Sequence, residues 1–349
     1  MEKVLMKGNE AIAEAAIRAG CKHFFGYPIT PQTEVSAYMS KRMPKIGGVF
    51  LQAESEVAAI NMVYGAAGAG VRAMTSSSSP GISLKAEGLS YIAGADLPCV
   101  VVNIVRGGPG LGGIQPAQSD YFQAVKGGGH GDYKMLVLAP SSIQEVVDCT
   151  FRAFDLADKY RMPAMLLGDG MLGQMMEPIA FPETSDVTLP EKKWATTGTK
   201  MERSPNIINS LYIEPEALEA LVLKRQARYA AIEKTEVRYE AEGLEDARLV
   251  IVSYGTTARI VKAAIDAARK EGLRVGLIRP ITLWPFPSDV IAETAKKVKA
   301  LLSVEMSTGQ MVEDIRLAAN GACPVHFYGR TGGMVPTPTA ILDEIRRYA

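Results

Sequence analysis

Three stretches place chemically useful side chains at the ends of apolar runs. Glu56 opens a helical pattern directly after the strand-like run GVFLQAE. An acid in the first helical turn complements the helix dipole, and that alone is ordinary. The helix it opens, EVAAINMVYGAAGAG, is however almost wholly apolar and built of small residues. A carboxyl at the head of such a helix is partly desolvated and suited to sharing a proton. Glu54 competes for the same role. Arg106 ends the run CVVVNIV and enters Gly107-Gly108-Pro109-Gly110. A guanidinium there can grip a carboxylate with its planar fork, and the glycines let a ligand approach the backbone. A plain surface arginine is the alternative. The third stretch is Tyr27-Pro28-Ile29-Thr30-Pro31, after the run CKHFFG. Two prolines so close exclude both helix and interior strand, which leaves a stiff extended loop. Stiff loops at strand ends are where enzymes hold ligands.

Other candidates are weaker. Ser76-Ser77-Ser78-Ser79-Pro80-Gly81 is either a hydroxyl cradle or a plain loop with a helix cap. Thr256 and Thr257 stand at a helix start, as a phosphate site or as hydroxyl caps. Leu167-Gly168-Asp169-Gly170 looks like the opening of a thiamine diphosphate–magnesium motif. No Asn-Asn follows; the next asparagines, Asn206 and Asn209, lie in a polar stretch, so the tetrad reads as a structural turn. The four cysteines and three histidines are scattered without metal-ligand spacing. They indicate buried free thiols and no metal site, and they cannot hold an iron–sulfur cluster within this chain.

The elements that must position these residues alternate. Helical stripes such as Ala59, Met62, Val63 and Ala66 separate short β-branched runs up to about residue 180. This rhythm indicates a parallel sheet covered on both faces, with ligands outside the carboxyl ends of its strands. Residues 181–245 turn polar and proline-dotted, a surface connector ending in a helix with Pro215 in its first turn. That helix is expected to pack between domains. From residue 246 the α/β rhythm returns to the end of the chain at 349. The expected partition is therefore 1–180, 181–245 and 246–349. A net charge of zero argues against nucleic acid or a membrane surface as main partner. Without a signal-like or membrane-spanning run, a cytoplasmic location is expected.

Taken together, GYPITP, ESEVAAINMVYGAAGAG, MTSSSSPG, LPCVVVNIVRGGPG and IRPITLWPFP resemble the α-type subunit of the 2-oxoacid:ferredoxin oxidoreductases over nearly the whole chain. The resemblance implies a thiamine-diphosphate-binding, pyrimidine-type, doubly wound parallel sheet domain, then a transketolase carboxyl-terminal-like α/β domain. It implies that the cofactor lies between two subunits. A β-type partner would hold the diphosphate and magnesium, and iron–sulfur clusters would sit on partner subunits. Glu56 matches the glutamate that bonds the pyrimidine ring nitrogen and favours the imino tautomer, which deprotonates the thiazolium carbon. Pro28 and Ile29 would lie beside the cofactor. Thr30 matches the threonine that bonds the substrate, and Arg106 the arginine that clamps its carboxylate. The implied reaction is oxidative decarboxylation of a 2-oxoacid, with the acyl group passed to coenzyme A and electrons to ferredoxin. The stretch VRGGPGLGGIQPAQSDYFQAVKGGGHGDYK looks most like members acting on branched-chain oxoacids such as 3-methyl-2-oxobutanoate. Pyruvate, 2-oxoglutarate and a lipoamide-linked dehydrogenase β subunit are the alternatives.

Overall fold

The computed structural model of the chain describes residues 3–182 and 191–349; connector residues 183–190 lie outside it. In chain order the first part contains β1 (Val4–Lys7), α1 (Gly8–Arg18), β2 (His23–Gly26), α2 (Thr33–Arg42), β3 (Val49–Gln52) and α3 (Glu56–Gly68). There follow β4 (Ala73–Ser77), α4 (Pro80–Gly94), β5 (Cys99–Val105), α5 (Tyr121–Val125), β6 (Leu136–Leu138) and α6 (Ile143–Tyr160). Then come β7 (Pro163–Asp169), α7 (Gly170–Gln174), β8 (Met176–Ile179) and α8 (Pro215–Thr235). The second part contains β9 (Tyr239–Glu242), β10 (Leu249–Val252), α9 (Gly255–Lys270), β11 (Val275–Pro280), β12 (Thr282–Trp284) and α10 (Ser288–Ala295). It closes with β13 (Ala300–Glu305), α11 (Met311–Ala319), β14 (Val325–Gly329) and α12 (Pro338–Tyr348).

The main sheet has the order β12-β6-β7-β5-β4-β2-β3. Strands β2 to β7 run parallel within it, and β12 joins antiparallel to β6. Every residue of β5 is buried, as a strand covered on both faces requires. Helix α1 buries Ala11, Ala13, Ala15 and Ala16, and these small side chains let its neighbours α2 and α6 approach closely. The second sheet has the order β14-β13-β10-β11-β9, parallel except for β9. Strand β9 is charged and largely exposed, which hides it from a hydrophobic pattern, yet it places residues 239–242 in the second sheet. Helix α8 packs Tyr229 edge-on to Trp284 of β12 and sends Arg225 to Asp96 at the end of α4.

The two parts meet through residue Gln118. It donates from Nε2 to the Tyr254 carbonyl and accepts from Thr257 Oγ1 and the Met306 backbone N–H, at 2.8–2.9 Å. Tyr121 adds a hydroxyl bond to Asp314 of α11 at 2.6 Å. The second part thereby pins the segment that follows Arg106. No helix among the described residues is long and apolar enough to cross a membrane.

Candidate functional site at the carboxyl edge of the main sheet

Because β2, β3, β4 and β5 are parallel neighbours, their carboxyl ends lie along one edge. That topology collects the proline loop after β2, Glu56 after β3, the serine run after β4 and Arg106 after β5. Glu56 is buried and Glu54 exposed, which separates the two candidates. Ser55 caps α3 by accepting from Ala58 N–H, so Glu56 is free of capping duty. The Glu56 carboxyl lies against α4: a Cβ on Gly81 would stand 2.6 Å from Glu56 Oε1 and 2.0 Å from Ser77 Oγ. A side chain at Gly81 would displace the Ser77 hydroxyl and the Glu56 carboxyl.

The proline loop is held from below. Asn9 Nδ2 donates to the Pro31 carbonyl and to Glu34, both at 2.8 Å. Gln32 is fully buried; its Oε1 accepts from Ser76 Oγ at 2.5 Å and its Nε2 reaches the Tyr27 carbonyl at 3.4 Å. Pro28 and Thr30 remain exposed, and Ile29 is half-buried. Arg106 joins this loop directly. Its Nη1 donates to the Thr30 carbonyl at 2.9 Å and its Nη2 to the Leu111 carbonyl at 3.0 Å, while its buried Nε has no partner. The structure thus brings Thr30 and Arg106 together, but with the guanidinium fork engaged on backbone oxygens.

The serine run is neither wholly a cradle nor a plain cap. Ser79 donates to Asp120 Oδ2 at 2.7 Å and accepts from the Arg106 N–H at 3.1 Å, tying the β4 and β5 loops. Asn103 also donates to Asp120 at 2.9 Å. Burial raises the Asp120 pKa, and these two bonds oppose the rise. Ser77 and Ser78 are buried hydroxyls without a partner among the described residues. Lys85 is likewise buried and unpartnered; burial lowers its pKa to about 8, against the attraction of Glu56. Neither Lys85 nor Gln32 is among the residues that the sequence pattern points to. A lone lysine between Gly81 and Gly88 on an apolar helix was the available signal for the first; Gln32 offered none.

Asp169 of the Leu167–Gly170 tetrad caps α7 by accepting from the N–H groups of Met171 and Leu172, and it also accepts from the Thr256 hydroxyl. Thr256 and Thr257 do not cap α9; they reach across to Asp169 and Gln118. Among the described residues no cluster of His, Cys, Asp or Glu suits a metal ion. Cys21, Cys99 and Cys149 are buried free thiols, each pushed up to about 12 mainly by burial, and Cys323 is half-buried.

A buried carboxyl, orphaned hydroxyls and a glycine-cleared space form a setting for a polar ring that brings its own donors and acceptors. The comparisons supply the class, that of thiamine-diphosphate-binding proteins. Residues 14–242 match the family model for pyruvate flavodoxin/ferredoxin oxidoreductase, thiamine diphosphate-binding, and residues 247–341 match pyruvate:ferredoxin oxidoreductase core domain II. The chain belongs to this family and is an oxidoreductase subunit. It is 51% identical to the ketoisovalerate oxidoreductase subunit VorB of Methanothermobacter thermautotrophicus, covering 100% of this chain and 99% of that one. It is 36% identical to the 2-oxoglutarate synthase subunit KorA of the same organism, over 99% and 98% of the two chains. Among solved structures, the 2-oxoglutarate:ferredoxin oxidoreductase of Magnetococcus marinus, with 2-oxoglutarate, coenzyme A and succinyl-CoA bound, superposes with a TM-score of 0.89 at 30% identity. That match covers 99% of this chain and 65% of the other. A split-gene transketolase shares the fold at a TM-score of 0.62 and 14% identity.

Proposed function

We propose that this chain is the α-type subunit of an assembly that oxidatively decarboxylates a branched-chain 2-oxoacid, 3-methyl-2-oxobutanoate, forming acyl-CoA and reducing ferredoxin. The observation that carries the substrate choice is the loop beside Arg106. It presents Leu111 and Ile114 at 84% and 57% exposure, and Arg106 is its only basic residue up to Pro116. A substrate with one carboxylate and an apolar tail suits such a loop; a second carboxylate would lack a cation. The greater identity to the ketoisovalerate relative supports the same choice.

Thiamine diphosphate, when bound, supplies the nucleophilic carbon and the electron sink for decarboxylation. Glu56 would hold the aminopyrimidine ring nitrogen and share a proton with it. Pro28 and Ile29 form a stiff wall beside the cofactor. The exposed Thr30 hydroxyl bonds the oxoacid. Arg106 binds the substrate carboxylate by donating to it from the Nη2 that now serves the Leu111 carbonyl, which belongs to an exposed loop, while Nη1 keeps the Thr30 carbonyl. The mate chain docks on the exposed stripe Val57, Asn61 and Gly65 of α3, with Leu51 and Leu84 beside it. That β-type subunit holds the diphosphate and magnesium, and an iron–sulfur subunit carries electrons to ferredoxin. We keep 1–180, 181–245 and 246–349 as the working partition of these duties.

The test is a panel of 2-oxoacids on the reconstituted complex with a viologen dye as acceptor. The expected kcat/KM for 3-methyl-2-oxobutanoate exceeds that for 2-oxoglutarate by about 100-fold or more, the scale of leaving a charged group unpaired. The reverse order rejects the substrate assignment. A purified active complex without iron–sulfur absorption would reject the ferredoxin link in favour of a lipoamide-linked reaction.

A further inference from the structure

Helix α4 has a stripe of Gly81, Lys85 and Gly88, spaced so that all three face one side. That side is α3. A Cβ on Gly81 would meet Glu56 Oε1 at 2.6 Å, and a Cβ on Gly88 would meet Ile60 Cγ2 at 2.5 Å. Ile60 lies one turn after Glu56, as Lys85 lies one turn after Gly81. Lys85 therefore stands on the inner side of Glu56, one turn farther from the carboxyl edge where a ligand enters. Its side chain is 0% exposed, and Nζ has no hydrogen-bond partner among the described residues. Among the described residues the charge that acts on it is Glu56. A lysine whose pKa is lowered to about 8 still carries its proton at pH 7.

Burying an unpartnered ammonium is costly for the fold, and a methionine of similar shape would avoid that cost. The fold therefore gives no reason for this residue, whereas the site does. We propose that Lys85 is a positioning residue: its ammonium, set behind Glu56 on the α3–α4 seam, biases the proton that Glu56 shares with the aminopyrimidine toward the ring nitrogen. The inference rests on the Glu56 reading above. Its physical basis is distance. A charge on the inner side of the carboxylate stabilises the near anion more than it opposes a protonated ring entering from the edge. One proton moves from a carboxyl oxygen to a ring nitrogen, and no bond between heavy atoms changes.

The experiment uses thiamine diphosphate labelled with ¹⁵N in the ring, bound to the complete complex without oxoacid. The nitrogen resonance distinguishes protonated from unprotonated ring. Lys85→Met keeps the shape and removes the charge; Lys85→Gln serves if the methionine variant does not assemble. The expected result is a protonated ring in the native complex and a shift toward the unprotonated position in K85M. Turnover should fall about 10-fold, while the unfolding midpoint stays level or rises. An unchanged resonance in K85M, with a shifted one in Glu56→Gln, overturns the role of Lys85 and leaves Glu56 in place. An unchanged resonance in both variants overturns the Glu56 reading, and this inference with it.

Discussion

The two sheets have carboxyl edges of the same architectural kind, and they treat buried polar groups in opposite ways. At and just behind the edge of the main sheet Thr75, Ser77, Ser78, Lys85 and Arg106 Nε are buried without partners among the described residues. In the second part, among the described residues from Tyr239 onward, no buried side-chain nitrogen or oxygen lacks one. Glu305 shows the contrast best. It is fully buried, like the nearly buried Glu56, but it accepts from Ser303, Ser307 and the N–H groups of Gln310, Met311 and Val312. Glu305 is a helix anchor whose bonding capacity is spent. Glu56 has no such set of donors. A parallel edge offers a ligand crevice in either sheet, but only an edge with unspent polar groups has something to offer a ligand. In the second sheet the first part has already filled the crevice: Gln118 lies at the start of α9, 3.2 Å from where a Gly255 Cβ would be.

The comparison can be broken most severely by exchanging the two glutamates' fates. Glu56→Gln should lower turnover by about 10²–10⁴-fold, with assembly and unfolding midpoint retained, because its role is proton sharing. Glu305→Ala should do the reverse. It strips five donors of their acceptor, so denaturant unfolding should show a loss of about 3 kcal/mol or more, with kcat of the folded fraction unchanged. A stable but inactive E305A, or an unfolded E56Q, would erase the distinction.

Arg106→Ala removes both the Thr30 contact and the proposed carboxylate clamp. The expected loss in kcat/KM for the oxoacid is about 100-fold, the worth of two hydrogen bonds to a charged group. Steady-state kinetics with varied oxoacid measures it, and unchanged kinetics would remove Arg106 from the site. R106K should recover little, because a point charge cannot replace the fork.

Asp169 sharpens the comparison through pH. Burial raises its pKa above 3.8, only partly offset by bonds from Thr256, Leu172 and Met171. A carboxyl with a raised folded pKa contributes stability below its unfolded pKa and loses it as pH rises through the folded value. Asp169→Asn should therefore flatten the stability curve above pH 3.8, which urea unfolding at a series of pH values would reveal. A native-like slope in D169N would mean that the aspartate is not strained by its burial. The smallest effect is expected at Leu111, where L111S should leave stability within about 0.5 kcal/mol. It should lower the preference for an apolar over an acidic oxoacid by several-fold.

Much of this was legible in the sequence, for a definite reason. In a parallel sheet the residue after each strand must arrive at one edge, so identifying the strands before Tyr27, Glu56, Ser78 and Arg106 already gathers them. The choice of Glu56 over Glu54 rests on its place at the head of a small-residue helix; in the fold Glu56 is buried and Glu54 exposed. What escaped were contacts between segments distant in the chain. Thr256 and Thr257 read as caps or a phosphate site because their true partners, Asp169 and Gln118, lie about a hundred residues away. Arg106 read as a free fork because nothing local says that Thr30 and Leu111 carbonyls occupy it. The strand Tyr239–Glu242 escaped because an exposed antiparallel edge needs no apolar alternation.

The central claim is that Glu56 meets the aminopyrimidine ring at the unspent edge. A structure of the complete complex with thiamine diphosphate bound tests it most directly. The account predicts a Glu56 carboxyl oxygen within about 2.6–3.2 Å of the pyrimidine ring nitrogen. A ring bonded elsewhere, with Glu56 facing only protein, would contradict it.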